Sequence, residues 1–216
     1  MKNVPRGVRL HAEYLKAELR LQQYGVRRTV LVMGSTRASR RHPQYAVARE
    51  FGALVAADAR AALMTGGGPG IMEAANRGAY EAGGISIGLN IQLPREQAPN
   101  RYLTPGLCLT FRYFALRKLH FMMRARAMVA FPGGYGTFDE LFETLTLVQC
   151  RKMAPIPIVL VGRNYWRRAV DMKFLAAQGM IGARELRLFR YADTAREVWD
   201  AVKGAIGRAA PALKRA

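Results

Sequence analysis

Cysteine is almost absent from this sequence. Cys108 and Cys150 are the only two in 216 residues, so no disulfide framework holds the fold, and neither stands at metal-ligand spacing from a histidine. A zinc site built on cysteines is therefore not expected. Histidine is as sparse: His11, His42 and His120 are isolated in the sequence, which suits structural or solvated side chains better than a triad or a ligand set, and no metal is expected. Long apolar runs are missing too. Ile156–Val161 is the type of run present, far short of the roughly 18 residues a membrane span needs. The segment Met1–Leu10 is charged and lacks the apolar stretch of a signal peptide. These absences predict a soluble, cytoplasmic protein without membrane contact.

Acidic residues are also scarce, 15 against 34 basic ones, for a formal charge of +19. Only seven of the basic residues are Lys, and the Arg residues are scattered from Arg6 to Arg215 without a run longer than two. A nucleic-acid arm is more often a clustered tract. Solvated faces and an anionic small ligand both fit diffuse charge better, because it steers any anion and specifies none; nucleic acid is the least favoured partner.

What is present is globular: half the residues are apolar and 23% charged, enough for a sizeable core. No repeat or Ser/Gly linker divides the chain, so one domain over 1–216 is expected, with a core over 29–202 and a leading helix over 8–24. Compact apolar runs predict strands at Arg28–Met33, Ala61–Thr65, Ile85–Leu89, Leu107–Phe111, Ala127–Phe131, Ile156–Val161 and Leu186–Tyr191. Helical spacing lies between them: Pro43–Arg60, opened by Pro43, then Ile71–Ala82, Tyr113–Arg126, Phe138–Gln149, Tyr165–Gln178 and Thr194–Ile206. Gln92–Pro105 is the longest irregular stretch. Strands alternating with helices, and apolar throughout, predict an α/β fold: a Rossmann-like, doubly wound, mainly parallel sheet of about seven strands flanked by helices.

Two Gly-rich turns each follow a predicted strand and precede a predicted helix: Thr65-Gly-Gly-Gly-Pro-Gly70 and Phe131-Pro-Gly-Gly-Tyr-Gly-Thr-Phe-Asp-Glu140. Glycine lets a backbone approach an anion closely, and the first N–H groups of the next helix point at it. Either turn alone is explained as a tight connection; two at the carboxyl edge of one sheet favour a ligand cradle. Neither is a Walker P-loop or a full dinucleotide fingerprint. Thr137 suits a helix N-cap that also binds phosphate, and Asp139 and Glu140 suit the first helical turn, where the dipole favours carboxylates.

The run Pro132-Gly-Gly-Tyr-Gly-Thr-Phe-Asp-Glu140, with Arg117-Lys118 upstream, matches the P-G-G-x-G-T-x-x-E signature and the Arg-Lys pair of the LOG ("Lonely Guy") family. Met33-Gly-Ser-Thr36, the Gly66–Gly70 loop with Glu73 and Asn76, and Trp166 are similar to that group, and the resemblance covers about residues 29–202. It departs at Gly66-Gly-Gly-Pro-Gly-Ile-Met-Glu73 and in the longer Gln92–Pro105 insert, which resembles a bacterial subgroup and leaves the preferred base open. The resemblance implies a phosphoribohydrolase that cleaves the N-glycosidic bond of a nucleoside 5′-monophosphate, a cytokinin riboside monophosphate or AMP, without cofactor. It also implies a homodimer or higher homo-oligomer. By the same resemblance Arg117 and Glu140 are catalytic, and Gly133, Gly134, Gly136 and Thr137 hold the 5′-phosphate. Ser35, Gly67, Gly68, Glu73, Asn76 and Lys118 contact ribose or base.

The same group is also labelled as possible lysine decarboxylases. That chemistry through pyridoxal phosphate needs a Schiff-base Lys and an acidic partner for the pyridine nitrogen; none of the seven Lys has a suitable context. The rival reading is a non-catalytic carrier of a nucleotide or of molybdenum cofactor on a related fold, which has no need of an Arg117–Glu140 pair. DNA binding is a third.

Overall fold

The computed structural model describes residues 5–58, 60–93 and 98–207; part of the Gln92–Pro105 insert, residues 94–97, lies outside them. Seven strands form one sheet, and every pairing is parallel. They are β1 Thr29–Met33, β2 Ala62–Thr65, β3 Ser86–Ile91, β4 Cys108–Phe111, β5 Ala125–Ala130, β6 Ile158–Val161 and β7 Phe189–Ala192. Their spatial order is β4-β3-β2-β1-β5-β6-β7. The chain winds outward from β1 to β4, returns to lay β5 against the free side of β1, and winds outward again. The direction of winding reverses between β1 and β5, and in such sheets a crevice opens there at the carboxyl ends.

Helices α1 Arg6–Gln23, α4 Phe114–Arg124 and α5 Tyr135–Gln149 pack with Trp166 on one face, through Leu21, Phe121 and Leu141. On the other lie α2 Pro43–Ala57, α3 Ile71–Glu81 and α8 Ala195–Ile206, through Phe51, Ala75 and Val198. Helix starts follow local chemistry. Pro43 opens α2 while His42 Nδ1 accepts the N–H of Gln44 at 3.2 Å. Thr194 and Glu197 form a reciprocal capping box at α8.

Three expectations need correction. The single helix expected over Tyr165–Gln178 is two, α6 Arg163–Ala169 and α7 Met172–Ala177, because Val170 is extended and Asp171 restarts the helix by accepting the N–H of Phe174 at 2.9 Å. Edge strand β4 is not apolar throughout: Cys108 and Thr110 are exposed while Leu109 and Phe111 are buried, as for a strand covered on one face. The last strand begins at Phe189 because Glu185–Arg187 form a 3-10 turn.

Helices α2 and α3 meet backbone to backbone. A Cβ on Gly78 would overlap the carbonyl of Arg49, and one on Gly52 that of Ala75. Gly78→Ala therefore forces the helices apart, and overpacking of this kind costs about 2 kcal/mol or more. Urea denaturation should show that loss; a G78A variant as stable as the parent would contradict the packing described.

Candidate active site

Three loops converge at the reversal point. The N–H of Ser35, after β1, donates to the carbonyl of Pro132, after β5, at 2.9 Å, and the N–H of Ile71, opening α3, donates to the carbonyl of Ser35 at 3.0 Å. Gly70, at φ 68°, permits that approach, since a Cβ there would strike the Ser35 carbonyl. Above the junction is a cleft of about 790 Å³ lined by Ser35, Gly66, Gly68, Phe114, Arg117, Gly134, Gly136, Thr137 and Glu140, with Met33, Met72, Ile91 and Leu93 supplying apolar wall.

The wall from α5 differs from expectation. Gly134, in extended conformation, is the N-cap, and α5 begins at Tyr135. Thr137 is therefore not the cap; it lies in the first turn, its N–H donating to the Gly134 carbonyl at 2.9 Å. The first N–H groups of a helix have no partner within it, so those of Tyr135 and Gly136 stay open beside the cleft. No side chain caps this end. Asp139 and Glu140 consequently fall beyond the first turn. Gly133 does not line the cleft: its carbonyl accepts the Tyr165 hydroxyl at 2.5 Å, and its missing Cβ makes room for the Thr137 side chain.

Glu140 from α5 and Arg117 from α4 face each other across one end of the cleft. Arg117 Nη2 donates to Glu140 Oε1 at 3.2 Å, with Glu140 fully buried and Arg117 8% exposed. The guanidinium is held between the rings of Phe114 and Phe121, at 5.0 and 5.4 Å. Among the described residues one contact is all the pair makes: Glu140 Oε2 and Arg117 Nε are buried without a partner. Burial dominates the electrostatics. It pushes the Glu140 carboxyl up to about 7 against the pull of Arg117, and it lowers the Arg117 guanidinium.

The other expected site residues divide. Ser35 and Gly68 line the cleft. Gly67 supports the loop from behind, its N–H donating to Thr65 Oγ1 at 2.9 Å. Asn76 does not line the cleft: fully buried, it accepts from Thr65 and Asn100 and donates to Ser86, so its amide builds the loop. Glu73 points to the far side of α3, accepting Arg40 at 2.8 Å and the Tyr45 hydroxyl at 3.0 Å. Lys118 also turns away, bonded to Asp139 at 2.8 Å and paired with Glu143 at 3.3 Å.

Two contributors were not expected from the sequence. Tyr135 stands at the cleft mouth, 97% exposed. Glu13 of α1 reaches the start of α4, where its Oε1 accepts the N–H groups of Arg112 and Tyr113, each at 3.1 Å. Farther along, Glu18 of α1 meets Arg124 at 2.6 Å. Between these clamps His120 is fully buried, stacked on Tyr14 and tilted against Phe111, and burial lowers its pKa; it is structural. Helix α1 thus fixes the helix that carries Arg117.

With this geometry in view, a protein-family profile described as "Possible lysine decarboxylase" matches residues 72–202, more than half of the chain. The chain belongs to this family, the LOG family. Among curated relatives, the probable cytokinin riboside 5′-monophosphate phosphoribohydrolase LOGL5 of Oryza sativa subsp. japonica is 29% identical over 62% of this chain and 54% of its own length. Cytokinin riboside 5′-monophosphate phosphoribohydrolase LOG2 of Arabidopsis thaliana is 33% identical over 39% of each. The chain thus spans about half or less of these two relatives. Among solved structures, the molybdenum cofactor carrier protein of Chlamydomonas reinhardtii superposes with TM-score 0.56 at 22% identity, over 84% of this chain and 99% of its own. The molybdenum cofactor binding protein of Rippkaea orientalis gives 0.57 at 21%, over 82% and 95%. These structural likenesses show a shared fold. Among the described residues no helix is long and apolar enough to cross a membrane, and none form a cluster of three or more His, Cys, Asp or Glu able to hold a metal.

Two outcomes follow for stability. Glu13→Ala removes the acceptor of the two N–H groups just before α4 and should cost about 1 kcal/mol, while Glu13→Gln keeps the acceptor and loses less; equal losses in urea titrations would contradict this anchoring role. Glu140 binds its proton more tightly folded than unfolded, its pKa rising from 4.5 to about 7. Ionising it therefore lowers stability as pH rises across that window, with the full penalty above it. Glu140→Gln in the LOG-family chain should be at least as stable as the parent at pH 8, its advantage fading below pH 5; a large destabilisation at pH 8 would refute this.

Proposed function

We propose that this protein hydrolyses the N-glycosidic bond of a purine nucleoside 5′-monophosphate, a cytokinin riboside monophosphate or AMP, to free base and ribose 5-phosphate. The observation that carries the reading is the under-bonded Arg117–Glu140 pair buried beside an open helix N-terminus. The α5 end, with the N–H groups of Tyr135 and Gly136 and the Thr137 side chain, suits the 5′-phosphate. The loop carrying Gly66 and Gly68 lets a sugar approach backbone closely, and Met72, Ile91 and Leu93 suit a purine.

In this reading Glu140 takes a proton from water as that water's oxygen bonds C1′. The C1′–N9 bond breaks, its electron pair leaves with the base, and the proton ends on the base. The sugar passes through an oxocarbenium-like state, which an ionised carboxylate stabilises. Arg117 holds that carboxylate and keeps Nε free to donate toward the departing base or the phosphate. A Schiff-base mechanism finds no support, because among the described residues no lysine lines the cleft.

Incubation with AMP and, separately, with isopentenyladenosine 5′-monophosphate, followed by chromatography of free base, tests the proposal. Glu140→Gln should lose roughly 10²–10⁴-fold in kcat, and Arg117→Gln a comparable factor. Because the ionised carboxylate acts, the rate should fall as pH drops below about 7, the value to which burial raises Glu140. Binding of both nucleotides without cleavage would overturn the hydrolase in favour of a carrier.

A further inference from the structure

At the amino ends of the strands, opposite the cleft, lies a second cavity of about 650 Å³. Its walls are the loop Ala154–Pro157 before β6, the start of β7, and one face of α8 made of Ala201, Gly204 and Ala205. That volume is within the range of small-molecule sites.

Two observations converge on an anion, and a third on an open apolar wall beside it. Arg126, Arg187 and Arg190 line the cavity, and none of them forms an ion pair among the described residues. The one acidic lining residue, Asp200, is already held by Lys203 at 2.5 Å and Arg196 at 3.7 Å. Secondly, among the described residues Arg126 Nε is buried with no partner and Nη1 meets only the neighbouring Ala125 carbonyl; burial and the nearby charge of Arg28 both lower its pKa. A buried donor left open is costly unless something accepts from it. Thirdly, Gly204 sits inside α8, where glycine costs about 1 kcal/mol relative to alanine, yet an added Cβ would meet nothing within 4 Å. Helix packing does not demand that glycine; its effect is to keep this wall low beside Pro155 and Pro157.

We propose that this cavity is a second ligand site, for a small phosphate ester carrying a flat apolar group. The phosphate would meet the arginine guanidiniums, whose planar fork suits it, and the flat group would lie between the proline loop and the Ala201–Ala205 face. The site lies at the amino ends of the strands and shares no lining residue with the cleft that holds Glu140, so its occupancy can be read separately from the reaction assigned there.

Phenyl phosphate is the minimal probe, with inorganic phosphate as the control lacking the ring. Titration of the ¹⁵N-labelled protein should shift the Gly204 and Ala205 amide signals saturably with phenyl phosphate, and inorganic phosphate should bind at least about tenfold more weakly because it buries no apolar area. The exposed pair change Arg187→Gln with Arg190→Gln should weaken phenyl phosphate about tenfold or more, the loss of charge-assisted bonds. Gly204→Leu should abolish the shifts at Ala205 without lowering the melting temperature, because leucine favours the helix and fills space. In both variants Gly134 and Gly136 should respond as in the parent. Unmoved Gly204 and Ala205 signals would overturn the proposal. So would equal affinity for the two probes, which would mark a diffuse arginine surface.

Discussion

A guanidinium and a carboxylate joined by a single 3.2 Å contact in a water-excluded wall is the constraint around which this molecule is organised. Taking two charges out of water costs several kcal/mol each, and one contact returns only part of it. The balance is visible in Glu140, where burial outweighs the attraction of Arg117 and leaves the carboxyl near neutrality. A structure selected for stability alone would add donors to Glu140 Oε2 or replace the pair by apolar side chains. Instead the scaffold holds it open. Phe114 and Phe121 sandwich the guanidinium, and α1 clamps both ends of α4 through Glu13 and Glu18.

Topology puts the pair where a ligand can reach it. Because β5 returns to lie beside β1, the loops after both strands meet, and hydrogen bonds between Phe131 and Met33 and between Ser35 and Pro132 close the seam. Helices α4 and α5 precede and follow β5, so the residues that enter and leave one strand face one crevice. The α5 N-terminus opens there with no side chain over its first N–H groups, which concentrates positive potential opposite the carboxylate.

Much of this was legible in the sequence. Seven apolar runs alternating with helical spacing predicted the parallel sheet, and the two glycine-rich turns marked the edge where the cleft opens. The misplacements share a cause: adjacency in sequence is not adjacency on a helix. Lys118 follows Arg117, but one residue turns a side chain by about 100°, which carries it from the cleft to Asp139 and Glu143. Glu73 turns the same way to Arg40. For Asn76 the resemblance implies a contact to ribose or base, whereas its four bonding positions are filled beneath the loop. Glu13 had no local signal, since it anchors the entry to a helix some hundred residues later. The excess of arginine is a further case: composition could not say where charge lies unneutralised, and only the assembled sheet places Arg126, Arg187 and Arg190 around one cavity.

The chemistry proposed for the cleft requires Glu140 to be poised near neutrality. The most direct measurement is a ¹³C NMR titration of the Glu140 side-chain carboxyl in the unliganded protein, assigned by comparison with Glu140→Gln. The account predicts a midpoint near 7, moving higher in Arg117→Gln as the neighbouring cation is removed. A midpoint near the ordinary 4.5, indifferent to Arg117, would contradict it.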